Sequence, residues 1–171
     1  CSETVEIEAG DIEDAVGEIT AIIHPDVGSV VQVSWTQLAA HTIWVEYSFD
    51  EGIWHRSPQR DLTEGSRQEL LLGIPYSTDV TLRVAIEFGD TTSISDEVSI
   101  TTDSLPSSIP AAVLLTSDPS RWDPDSAYLL AGLENATVIL DRLGRVVWAF
   151  DTPTRRIAMH PQISHDGHDL L

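Results

Sequence analysis

The sequence contains no lysine: its nine basic residues are all arginine, set against 28 acids, for a formal net charge of −19. Affinity for nucleic acid comes mainly from cations that displace counterions from phosphate, so nucleic acid is the partner this composition fits least. The single cysteine, Cys1, cannot form a disulfide within the chain. No apolar run approaches the roughly 18 residues that a membrane-spanning helix needs. Helical periodicity is absent, and no Gly-x-Ser-x-Gly elbow gives the serines the strand-to-helix turn of a hydrolase nucleophile. Against these absences, 42% of the residues are hydrophobic and five are tryptophan, enough for a packed core. Surplus negative charge favours solubility and salt tolerance, as in a secreted protein, and the missing lysine also follows from a GC-rich coding sequence.

Strand patterns dominate from Glu18 onward. Ile19–Ile23 is a β-branched run stopped by His24-Pro25, and Val31–Trp35 alternates apolar and polar residues. Ile43–Phe49 alternates likewise into the turn Asp50-Glu51-Gly52, with Trp54–Arg56 as the return strand. Glu69–Leu72, Val80–Phe88, Thr92–Ser95 and Val98–Thr101 complete about seven short strands at close spacing, the signature of an all-β antiparallel sandwich. Asp103–Pro110 is a linker by composition. The expected organisation is an acidic tether over 1–17, a sandwich over 18–102, a linker over 103–110 and a second β-segment over 111–171.

The sandwich resembles a fibronectin type III domain, one of the immunoglobulin-like folds. Trp35 ends the second strand where that family buries a core tryptophan. Leu72-Gly73-Ile74-Pro75 followed by Ser77-Thr78 resembles the family's corner motif, one residue short. The corner tyrosine of the family would fall near Val80, so the hydroxyl that ties that corner to the backbone is missing. Another immunoglobulin-like sandwich fits the same pattern.

In the second segment Ala112–Leu115 and Ala127–Ala131 read as strands. Thr137–Leu140 leads through the turn Asp141-Arg142-Leu143-Gly144 into Arg145–Phe150, and Gly144 stands where a bulged turn wants positive φ. Ile157–Ile163, the turn Ser164-His165-Asp166-Gly167 and Asp169–Leu171 follow, so that the sequence stops inside an expected strand and its end is expected not to be natural. The Asp-x-x-Gly-x-Val-Val-Trp hairpin, followed by His160 and the Asp166-Gly167 turn, resembles the first blade of the β-propeller of bacterial arylsulfotransferases and their lipoprotein relatives, in which an immunoglobulin-like domain also precedes the propeller. The resemblance implies sulfuryl transfer from an aryl sulfate to a phenol. A neutral histidine in the central channel attacks sulfur, and neighbouring cations and histidines stabilise the sulfate oxygens. His160 alone occupies a comparable place and is the one catalytic candidate; a histidine that packs or is solvated at a strand start is the alternative. No cofactor is implied.

Cys1-Ser2 resembles the mature start of a bacterial lipoprotein, in which the first cysteine carries lipid. Acyl chains on Cys1 would anchor the protein to a periplasmic or outer-leaflet membrane, each buried CH₂ contributing about 0.8 kcal/mol. Glu3, Glu6, Glu8, Asp11, Glu13 and Asp14 would hold the folded part away from that membrane by mutual repulsion.

Other groupings carry less. His160, His165 and His168 match no zinc spacing. Asp118, Asp123, Asp125 and Ser126 lack the distal glutamate of a calcium loop, and Arg121 is expected to pair with one of these aspartates. Trp44, Trp54 and Tyr47 could form an aromatic platform for carbohydrate, with Trp44 and Glu46 facing outward if Val45 faces the core; packing against a neighbouring strand is the alternative. The expectation that emerges is the N-terminal fragment of a secreted or lipid-anchored arylsulfotransferase-like protein, itself inactive. Its sandwich would act as a spacer or homodimer-forming module, and aryl sulfates and phenols would be the substrates of the parent. The alternative is a non-catalytic surface protein that binds carbohydrate or protein.

Overall fold

The computed structural model describes residues 12–112, 115–121, 128–133 and 136–151. Among these residues the protein is all-β, with helix confined to the turn α1 (Ile12–Ala15) and a 3₁₀ turn at Pro119–Arg121. The strands are β1 (Thr20–His24), β2 (Val27–Gln37), β3 (His41–Asp50), β4 (Ile53–Arg56), β5 (Arg60–Leu62) and β6 (Gly65–Leu71), then β7 (Asp79–Phe88), β8 (Thr91–Ile94), β9 (Val98–Thr101), β10 (Tyr128–Gly132), β11 (Ala136–Asp141) and β12 (Val146–Asp151). They form sheets of order β1-β2-β6, β4-β3-β7-β8 (with β5 added to β3 and β9 to β7) and β10-β11-β12.

Contacts divide the chain into two compact units, one of Cys1–Ile22, Gln32–Leu71 and Asp79–Ile100, the other of Ile23–Val31, Leu72–Thr78 and Thr101–Leu171. In the first unit the antiparallel pair β3·β7 is central. Val45 lies opposite Val84, Ile43 opposite Ile86 and Tyr47 opposite Leu82. With side chains alternating across a strand, these residues share the inward face, and Val45, Val84, Ile43, Ile86 and Leu82 are buried. Where β4 and β8 end, two serines continue the ladder. Ser57 donates its backbone N–H to the Val45 carbonyl and accepts the Val45 N–H on its hydroxyl, both at 2.9 Å. Ser95 does the same for Val84, again at 2.9 Å in both directions. The outward backbone groups of two directly opposed, fully buried valines are thereby satisfied, as burial requires. Trp35 is buried, and its indole N–H donates to Gln37 Oε1 at 3.1 Å. The acidic N-terminal stretch ends in α1, where Ala15 and Val16 are buried and Val16 bridges to Gln37.

In the second unit Ile109, Ala136, Val138, Val146 and Ala149 form a small core. The corner Leu72–Thr78 has a hydroxyl tie after all, supplied by Thr102 in place of a tyrosine. Thr102 Oγ1 donates to the Pro75 carbonyl at 2.7 Å and accepts the Thr78 N–H at 2.9 Å. The hairpin β11·β12 forms at the expected place. Asp141 Oδ1 accepts the backbone N–H groups of Leu143 (2.9 Å) and Arg145 (2.8 Å), while Oδ2 accepts Arg145 Nε at 2.7 Å. Gly144 has φ of 77°, the left-handed conformation its place in the turn demands. Ala112 and Leu115, the ends of another expected strand, are not in strand conformation, and Val113-Leu114 lie outside the described residues.

Candidate functional site

The outer face of the β4-β3-β7-β8 sheet gathers two tryptophans, two arginines and a glutamate into one cluster. Alternation places Trp44 and Glu46 of β3 on the face opposite Val45, as expected. Neither points into solvent, however, for both are buried. The register explains this: Glu46 lies opposite Arg83 of β7 on one side and opposite Arg56 of β4 on the other. Both guanidinium groups close over it.

The carboxylate is saturated. Oε1 accepts Trp44 Nε1 at 3.1 Å and Arg56 Nη2 at 3.2 Å, and Oε2 accepts Arg83 Nε at 3.0 Å and Nη2 at 2.8 Å. Each arginine also covers an indole. Arg83 lies 3.9 Å from the Trp54 ring centroid and Arg56 lies 4.5 Å from that of Trp44. The result is an alternating stack, Trp54–Arg83–Glu46–Arg56–Trp44, in which cation–π contacts and ion pairs share the same two cations. Glu97 adds a weaker contact to Arg83 Nη1 at 3.7 Å. Burial pushes the Glu46 carboxyl up, but the hydrogen bonds from Trp44, Arg83 and Arg56 and the charge of Arg83 outweigh it and hold the group below the ordinary carboxylate range.

Such a carboxylate is a poor general base, because taking a proton would displace a donor from one oxygen and remove the charge that strengthens its four hydrogen bonds. Its chemistry is cross-bracing of three strands. Of the two tryptophans in this stack, Trp44 is buried and Trp54 is 40% exposed. Tyr47, grouped with the tryptophans in the sequence, lies on the other face, where it and Phe49 stack with His55. The Phe49 and His55 rings are nearly parallel, 4.7 Å apart, and the buried His55 Nε2 has no hydrogen-bond partner, so the imidazole serves there as a flat plate.

His160, Cys1, His165, His168, Asp123, Asp125 and Ser126 all lie outside the described residues. Asp118 is described, and it pairs with Arg121 at 3.5 Å as expected. Among the described residues no three His, Cys, Asp or Glu side chains come together as a metal-ligand set, and no helix is long and apolar enough to cross a membrane. The Trp–Arg–Glu stack was not anticipated from the sequence. Its signal was the pair of i, i+2 patterns Trp44-x-Glu46 and Trp54-x-Arg56 on adjacent strands, which period two places on one face. Comparison of the chain with protein-family models, with curated proteins and with solved structures gave no match.

Proposed function

We propose that this chain is the N-terminal portion of a secreted or lipid-anchored arylsulfotransferase-like protein. In this reading residues 18–102 are a fibronectin type III-like spacer or assembly module, and sulfuryl transfer belongs to a propeller whose first strands are β10–β12. One observation carries the reading: the Asp141–Trp148 motif lies in an antiparallel hairpin, and β10 pairs on its other side, giving a meander of the kind from which propeller blades are assembled. The spacer role is supported by the closed stack around Glu46, which engages the charged groups of the sheet face with one another. A lipid on Cys1 would place the protein outside the cytoplasm, and transfer through a histidine would need no cofactor.

The test uses the product of the complete reading frame. Phenol-dependent release of p-nitrophenol from p-nitrophenyl sulfate is expected, and Cys1→Ser is expected to release the protein from membranes. Absence of turnover from the complete product contradicts the reading. It would favour the alternative, a non-catalytic surface protein that binds carbohydrate. The observation on that side is Trp54, partly exposed and held by Arg83 against its ring; Trp54→Ala should then abolish glycan binding by the whole chain.

A further inference from the structure

The sheet β10-β11-β12 has two apolar faces with different fates. One carries Val138 and Ala149, directly paired, into the core of the second unit. The other carries Ile139, with Leu130 opposite it on β10 and Trp148 opposite it on β12. Tyr128, two residues before Leu130, belongs to this second face. Together with Val30, Leu72 and Gly73, the residues Tyr128, Ile139, Val147 and Trp148 line a crevice of about 180 Å³ within the second unit.

Three features define what it can hold. Its size is that of one ring, since an apolar cavity of about 150 Å³ accepts benzene. Its walls are aliphatic and aromatic side chains, with the Trp148 indole backed by Phe150, whose ring lies 6.2 Å away and nearly parallel. Its shape depends on a bare backbone: Gly73 has φ of 78°, and a Cβ there would overlap the Tyr128 hydroxyl, so only glycine lets the tyrosine seat against the chain. None of these lining residues is charged, and Asp141 beside them is paired with Arg145, so a charged ligand would lose its hydration there without gaining a partner. Asp141 lies directly across from Tyr128 in the β10·β11 register, and burial together with the Asp141 charge pushes the Tyr128 hydroxyl up, keeping it neutral. An anion would in addition meet the net charge of −19.

We infer that this crevice binds a neutral molecule bearing one aromatic ring, of benzene to indole size, packed against Trp148. The inference does not rest on the sulfotransferase reading, whose aryl sulfate donors are anions that this site disfavours.

The experiment is a titration of the ¹⁵N-labelled chain with indole, and in parallel with indoxyl sulfate, the same ring carrying a negative charge. Ligand is raised to about 1 mM, the range in which weak binding is read. Of the five tryptophan indole N–H signals, that of Trp148 should shift with indole. Indoxyl sulfate should bind at least tenfold more weakly. Leu72→Lys, at a position 58% exposed and therefore tolerant of the change, should weaken indole binding at least tenfold, whereas Leu115→Lys, at a position 89% exposed and outside the crevice, should not alter it. A stationary Trp148 signal in the unmodified chain, equal binding of the two ligands, or undiminished binding by Leu72→Lys overturns the inference.

Discussion

Arg83 holds Glu46 and Trp54 with one guanidinium group: Nε and Nη2 bond the carboxylate at 3.0 and 2.8 Å, and Cζ lies 3.9 Å from the indole centroid. A bidentate, ring-covered arginine cannot be replaced by a point charge. Arg83→Lys is therefore expected to destabilise the protein by about 1–2 kcal/mol, measured by urea denaturation. Glu46→Ala leaves two arginines facing each other over an unfilled site and should cost more, about 2–3 kcal/mol given that Arg56 retains access to water. An effect of Glu46→Ala smaller than that of Arg83→Lys would show that the carboxylate is not the hub of the stack.

Glu46 also sets a pH dependence. Its folded-state carboxyl is held below the ordinary value of 4.5 because hydrogen bonds and arginine charge outweigh the opposing effect of burial. A depressed folded pKa contributes stability that is present above the unfolded value and is lost as pH falls through the folded one. Stability should thus decline below pH 4.5 with a component that Glu46→Gln lacks, so the wild-type and variant profiles converge toward acid. Denaturation midpoints at a series of pH values check this; a constant gap between the profiles contradicts it.

The strand ladder depends on two serine side chains just past the ends of β4 and β8. Ser57 and Ser95 each complete the backbone pairing of a buried valine, Val45 and Val84. Replacing either by alanine strands a buried N–H and should cost about 1–3 kcal/mol. Val45 and Val84 face each other in the register, so the two substitutions are close enough to couple, and a double-mutant cycle should show non-additivity of about 0.5 kcal/mol or more.

How much of this was legible follows from what each element depends on. β3, β4, β7 and the β11·β12 hairpin were readable because alternation and the turns Asp50–Gly52 and Asp141–Gly144 are local signals. The three residues of β5, Arg60-Asp61-Leu62, carry no alternation; they form a strand because β3 offers an edge, with Thr42 Oγ1 donating to Asp61 Oδ1 at 2.6 Å. The turn α1 is too short to show a helical period. The corner bond was missed because Thr102 lies 24 residues from the Thr78 amide it accepts. Trp44 and Glu46 were placed on the right face, yet their burial depends on arginines from two other strands, and pairing register cannot be read from one strand alone.

Gly73 and Gly52 share a left-handed backbone, with φ of 78° and 76°, but not the same surroundings. Gly52→Ala, where a Cβ would meet nothing within 4 Å, carries the conformational cost alone, about 1–2 kcal/mol. Gly73→Ala adds the collision with Tyr128 and should cost more, with the Tyr128 ring displaced. Thermal denaturation of the two variants orders them; the reverse order contradicts the packing described for the crevice.

The functional reading comes down to where the chemistry resides. The most direct measurement is the initial rate of p-nitrophenol release from p-nitrophenyl sulfate, with and without phenol, by the 171-residue chain itself. If this chain supplies the spacer and only the opening strands of the propeller, its rate should equal that of buffer and should not respond to phenol or to His160→Ala. Sustained, phenol-dependent turnover that His160→Ala abolishes would contradict the account and place the reaction within these residues.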